Sequence, residues 1–340
     1  MAKTADQVPE AVAEAASRRS EARATRDWAA ADRLRDEIEA AGWRVVDSGT
    51  AYRLELASAP DVEVGGEIRY GRSDAVPSRL EEPPTGAASV VVVASGDPVE
   101  TGRVLDALGT SLPAGVDVIL VADGLPDRAL EGSRPDDLAA RPGPATFELV
   151  RTSAVLGQAA ALNIGIRRAR AAVVVVLDPC VTPTADVVTS LVAALVDPTV
   201  AIAGPFGLVS SDLRRFDEVI APADSAVDAA AIQGYLMAFR RSDAAARGPL
   251  DECFRFYRNL DIWWSLVLRD QNEDEDENEG TGVAPASIAR RALVVPGLPL
   301  TRAEPRAWLT TPPADRDRLS KRNFYRVLDR FRSRLDLAVS

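Results

Sequence analysis

Any acid–base chemistry in this sequence falls to carboxylates, Lys, Tyr or Cys. None of its 340 residues is histidine. That removes an imidazole base, a Ser-His-Asp triad and every His-ligated metal site. The best-placed carboxylate is Asp178, which ends the apolar run AAVVVVL and precedes Pro179, Cys180 and a Thr-Pro-Thr turn. Such a pattern delivers one carboxylate at the carboxyl tip of a buried strand. Asp97 and Asp123 close two similar runs, SVVVVAS and VDVILVA. Ligands of open α/β sheets bind outside the carboxyl ends of the strands, so all three are candidates. Each also has an ordinary reading as a helix N-cap or turn residue. Further along, GPLDECFRFYRNLDIWWSLVLR supplies Asp251, Glu252 and Asp261.

The elements that would carry these groups follow from periodicity. Continuous apolar runs (89–95, 116–124, 146–152, 171–178, 199–206) alternate with helical segments at 98–110, 154–170 and 184–196. Apolar strands alternating with helices predict a mainly parallel sheet covered on both faces. Upstream, residues 9–41 read as two helices, with Trp28, Ala31, Leu34, Ile38 and Ala41 at helical spacing. WRVVDS and AYRLEL then read as a hairpin about Gly49. Residues 58–87, dense in Gly, Pro and Ser, read as a linker. The segment 313–340 reads as a basic amphipathic helix with Phe324, Val327 or Leu328, Phe331 and Leu335 on one face. Packing on the main domain and contact with an anionic membrane surface both suit it. Trp263 and Trp264 suit a core better than a sugar platform, given Ile262 and Leu266 beside them.

Composition narrows the classes. The chain carries a formal net charge of -11. This excludes DNA binding by bulk electrostatics and disfavours RNA. Six of the negatives lie at Glu273, Asp274, Glu275, Asp276, Glu277 and Glu279, read as a solvated loop. Two cysteines, Cys180 and Cys253, give neither a disulfide framework nor zinc spacing. With no apolar leader and no run of 18 apolar residues, the expectation is a cytoplasmic protein.

Five stretches, in order, resemble family 2 glycosyltransferases. SVVVVASGD resembles their first strand, and VILVADGLPD their uridine-side element. GQAAALNIGIRRARAAVVVVLDPC resembles the G-x-x-x-A-x-N-x-G helix and the strand ending in Asp-x-Asp. QGYLMAFRRS and GPLDECFRFYRNLDIWWSLVLR resemble the acceptor-side strand and segment. The resemblance implies an α/β GT-A fold (nucleotide-diphospho-sugar transferase, Rossmann-like) over 88–312, a mainly parallel sheet flanked by helices. It implies transfer of a hexose from a nucleotide-sugar donor to a polysaccharide, lipid-linked or protein acceptor, with inversion, as in cell-envelope polysaccharide synthesis. Asp123, Asn163 and Asp178 would bind the donor, Asp178 with a divalent cation, Mg²⁺ or Mn²⁺. A lipid-linked acceptor would bring peripheral contact with the inner face of a membrane.

Two departures stand against turnover. Cys180 replaces the second carboxylate of Asp-x-Asp, and thiols are poor ligands for Mg²⁺ or Mn²⁺. Asn259 occupies the usual general-base position. Asp261, or failing it Asp251, would have to take the acceptor proton. The alternative is a nucleotide-sugar-binding or scaffold protein that kept the fold without turnover. Separately, SEARATRDWAAADRLRDEIEAAGWRVVDSGTAYRLE resembles the C-terminal end of cysteinyl-tRNA synthetases, which gives residues 1–57 as a helical hairpin module. No catalytic segment of a synthetase accompanies it.

Overall fold

The structure is a computed structural model that describes residues 8–48, 51–141, 143–219, 221–271 and 289–339. The acidic run at 273–279 lies outside the described residues. The chain divides into two compact units, Met1–Ala75 and Val76–Ser340.

In the first unit, α1 (Glu10–Ala24) and α2 (Trp28–Ala40) pack on a hairpin of β1 (Trp43–Ser48) and β2 (Ala51–Leu56). Asp27 caps α2 by accepting the Ala30 N–H at 3.0 Å. Val12, Ala16, Leu34, Ile38 and Trp43 form the core. Arg19 grips Asp47 through two bonds of 3.0 and 3.1 Å, which hold that carboxyl below its usual range. One expectation fails here: Trp28 is 58% exposed. It opens α2 directly after the cap, so the buried stripe begins one turn later, at Ala31. The stretch read as linker contains a second hairpin, β3 (Val62–Val64) and β4 (Glu67–Tyr70). Gly65 and Gly66, with φ of 61° and 85°, supply the turn that two-residue hairpins favour. The strands were too short to show a period.

The second unit begins β5 (Ala88–Val93), α3 (Pro98–Ser111), β6 (Val116–Ala122), α4 (Pro135–Ala139), β7 (Thr146–Thr152), α5 (Gln158–Arg168) and β8 (Val173–Leu177). It continues with β9 (Val181–Pro183), α6 (Val188–Ala194), β10 (Val200–Gly204), β11 (Gly207–Val209), β12 (Asp217–Val219), β13 (Val227–Ala229), β14 (Ala231–Ile232), β15 (Leu236–Arg240) and α7 (Arg241–Arg247). The last elements are α8 (Leu260–Arg269), β16 (Arg291–Val294), β17 (Leu300–Arg302), α9 (Arg306–Thr310) and α10 (Pro313–Phe331). Within this unit the main sheet runs β13-β16-β10-β15-β8-β5-β6-β7. The pairs β5–β6, β5–β8, β6–β7 and β10–β16 are parallel. β15 enters antiparallel between β8 and β10.

β6 and β8 are buried at every position, as strands covered on both faces must be. The expected α/β sheet flanked by helices is therefore present. Strand order reverses between β6–β5 and β5–β8, which places a crevice at the carboxyl ends of β5 and β8. Helix starts differ from expectation for identifiable reasons. Residues 153–157 form a loop before α5. The stretch 181–183 pairs with β17, so α6 begins only at Val188. Trp263 and Trp264 are buried in α8 and stack at 6.2 Å, which favours the core reading. α10 packs by Val327 and Phe331, while Leu335 is exposed.

Candidate active site at the strand tips

The tip of β8 holds Asp178 half-buried. Its Oδ1 accepts the Cys180 N–H at 2.8 Å, and its own N–H donates to the Tyr235 carbonyl at 2.9 Å. The next peptide unit holds a second carboxylate: the Gly234 N–H donates to Asp261 Oδ2 at 2.9 Å. Asp261 Oδ1 accepts the Ile262 N–H at 2.9 Å, in the first turn of α8. The dipeptide Gly234–Tyr235 thus links the backbone of Asp178 on the strand tip to the Asp261 carboxylate at the helix start. A Cβ at residue 234 would sit 3.3 Å from Asp261 Cβ, so a larger residue there would crowd the carboxylate. Burial pushes both carboxyls up from the ordinary aspartate range. For Asp261, its two backbone N–H partners and Arg258 work against that rise.

Two cavities meet at this bridge. The smaller, about 270 Å³, lies between the tips of β5 and β8 and is lined by Ser95, Glu100, Asp178, Pro179 and Arg306 among others. The larger, about 690 Å³, is lined by Asp178, Tyr235, Tyr257 and Asp261, with Lys321 and Phe324 of α10 on its far wall. Gln158, Leu162, Asp178 and Gly234 line both.

The other residues singled out from the sequence have different surroundings. Asp123 lines neither cavity. Its carboxylate accepts the Leu156 and Gly157 N–H groups at 2.8 and 2.9 Å and the Thr152 hydroxyl at 2.9 Å, pinning the loop before α5. Gly157 has φ 107°, and a Cβ there would meet the Arg255 backbone at 2.8 Å. Asn163 is buried. Its Nδ2 donates to the Leu250 carbonyl and to Glu252 at 2.9 and 3.0 Å, and its Oδ1 accepts the Leu250 N–H at 2.8 Å. Asn163 therefore fixes the 250–252 turn rather than facing either cavity. Asp251 accepts the Cys253 N–H and pairs with Arg326 of α10 at 3.0 Å, away from the larger cavity. Asp97 caps α3 and pairs with Arg306 at 2.7 Å.

Cys180 is 1% exposed and belongs to the main core. Burial, then the Asp178 charge, pushes its thiol far up, so it is protonated. Among the described residues no group of three or more His, Cys, Asp or Glu side chains could hold a metal ion. Sequence reasoning missed Gly234, Tyr235, Tyr257 and the cavity wall from α10. Gly234 and Tyr235 lie within QGYLMAFRRS and Tyr257 within the GPLDECFRFYRNLDIWWSLVLR stretch, so the resemblance held their positions without giving them a role.

Residues 89–248 match the model of glycosyl transferase family 2. The family 2 match includes Asp123, Asn163, Asp178 and Gly234 and ends before Asp251 and Asp261. A crystal structure of GalNAc-T7 with UDP, GalNAc and Mn²⁺ aligns with TM-score 0.55 at 15% identity, over 74% of this chain and 50% of that one. The likeness identifies a GT-A fold, and the chain spans half the length of that protein. A mannosyltransferase from Pyrobaculum calidifontis with GDP-Man and Mn²⁺ aligns at TM-score 0.46 and 20% identity, over 77% of this chain and 71% of that one. Over an alignment of 59 residues the chain is 48% identical to Cysteine--tRNA ligase 1 of Burkholderia lata. The match covers 16% of this chain and 13% of the ligase.

Proposed function

We propose that the protein transfers a sugar from a nucleotide-sugar donor to a glycan or lipid-linked acceptor. The observation that carries this reading is the shared wall: Asp178 faces both cavities, and Asp261 faces the larger one. The donor would lie in the crevice between β5 and β8, its diphosphate at Asp178. The acceptor would enter the larger cavity. There its hydroxyl oxygen bonds to the anomeric carbon while the proton passes to Asp261. The bond from that carbon to the diphosphate breaks, and the electron pair leaves with the nucleoside diphosphate. A single displacement of this kind inverts the carbon. Leu208, Phe216, Phe324 and Leu328 beside Arg214 and Lys321 in the larger cavity suit an acceptor with an apolar body and an anionic group, and so favour a lipid-linked one. Such an acceptor would bring the protein to a membrane surface; among the described residues no helix is long and apolar enough to cross one.

A single carboxylate suits a divalent cation whose remaining ligands are water and the donor phosphates. Asp178 would hold it, and the cation would supply positive charge to the departing diphosphate. The Mn²⁺ in the GalNAc-T7 structure supports a divalent cation. Two expectations follow. Mn²⁺ alone binds weakly, but it strengthens nucleoside diphosphate binding. Asp178→Ala removes that strengthening and costs about 10- to 100-fold in affinity, the value of a lost contact to a charged group. Calorimetric titration with and without Mn²⁺ measures both, and an unchanged nucleotide affinity in the variant removes Asp178 from the site. A panel of nucleotide sugars with product analysis tests the reaction itself.

Cys180 and Asn259 favour a second reading, a nucleotide-sugar-binding protein without turnover. Nucleotide binding with no transfer from any donor supports it. For the first unit we propose a protein-contact role. The acidic chain gives tRNA little to hold, so gel shift at physiological salt is expected to show only weak, salt-sensitive binding. A tight, salt-resistant complex overturns this.

A further inference from the structure

The segment 253–259, which leads into the Asp261 turn, has no regular secondary structure and leans on α10. Asn323, at 0% exposure, donates through Nδ2 to the carbonyls of Phe256 and Arg258, both at 2.8 Å. Asn259 returns the contact, donating to the Ser320 carbonyl at 2.9 Å. Asn259 is also left-handed, with φ 66°, where it is the N-cap residue of α8, a conformation asparagine tolerates better than other side chains. The Arg326–Asp251 pair and an Arg322 bond to the Cys253 carbonyl at 3.4 Å extend the clamp. The Asn323 oxygen is buried with no partner. An apolar residue would avoid that penalty, but it could not hold the two carbonyls.

We propose that Asn323 is a positioning residue for the reaction, setting the place of the Asp261 carboxylate through the 256–259 turn. The inference rests on the glycosyl-transfer reading. Asn259, which occupies the usual base position, serves here as the tether to α10, and the carboxylate two residues on takes the role. Asp261 faces Arg258 and Tyr257 of its own segment, Tyr235 just before β15, and Asp178 at the tip of β8. Arg214 and Glu218 also line this cavity, as does Lys321 of α10.

The test uses the full chain with Asn323→Ala. With the turn released, turnover is expected to fall about 10- to 100-fold, the scale of an ångström-sized misplacement, while nucleoside diphosphate affinity stays as in wild type. Water reaching Asp261 brings its titration down towards the ordinary carboxylate value. The acid limb of the pH–rate profile therefore moves to lower pH. Carbon-13 carboxyl NMR reads the same titration without any turnover. If wild type transfers no sugar, the functional reading fails, and the NMR result alone decides whether Asn323 positions Asp261. Should Asn323→Ala not fold, Asn259→Gly keeps the left-handed turn and loses only the Ser320 tether. The same downward shift is then expected. A folded variant of either kind with an unmoved Asp261 titration overturns the proposal.

Discussion

Asp261→Asn is expected to lower turnover by about 10²–10⁴-fold, the usual loss for a general base, with the donor KM little changed because the group acts on the acceptor. The carboxylate has the attributes of a base. It is half-buried in the wall of the larger cavity and is held from two sides by backbone N–H groups of Gly234 and Ile262. Burial raises its pKa, which brings it nearer to neutrality, where proton transfer is more effective. The base must be ionised to act, so the wild-type rate falls as pH drops through that raised value. The acid limb lies above the ordinary aspartate range, and the variant lacks it. The carboxamide cannot accept from both N–H groups, so circular dichroism and thermal unfolding must show that the variant is folded. A rate within about twofold of wild type excludes Asp261 as the base. Asp251 would then be the remaining candidate, although its carboxylate is paired with Arg326.

The second large effect is on stability. Cys180→Asp restores the residue pattern of the resembling family, and from the sequence alone it promises stronger metal-dependent donor binding. The structure reverses that expectation. Cys180 is packed in the main core with its backbone N–H on Asp178, and a carboxylate there would be desolvated beside another carboxylate. The variant is expected to lose on the order of 3–5 kcal/mol, the range for an uncompensated buried charge. The sign with pH follows from a folded-state pKa raised above the unfolded one. The deficit is full above the raised value and shrinks as pH falls through it towards the ordinary range. Urea denaturation across pH measures this, with Cys180→Ser as the control for size. Wild-type stability together with tight Mn²⁺ binding by the aspartate variant would show that the strand tip is still shaped for two metal-side carboxylates.

Much of the architecture was legible in the residues because it depends on local period. β5, β6 and β8 are continuous apolar runs, and such runs are buried on both faces wherever they pair. The β1–β2 hairpin and the helices before it follow from spacing and from Asp27 as a cap. Helix starts were less legible: α5 begins at Gln158 because Asp123 pins the preceding loop from 33 and 34 residues away, and no periodicity records such a bond. The same limit governs the site. That Asp178 stands on a strand tip and that no histidine exists were set by the sequence by itself. That Asp178 and Asp261 meet across Gly234 and Tyr235, while Asn163 and Asp123 turn to holding loops, was decided by the tertiary structure. A side chain's partners come from segments brought together when the sheet closes. A carboxylate reads the same in one dimension whether it ends up capping a loop or facing a cavity.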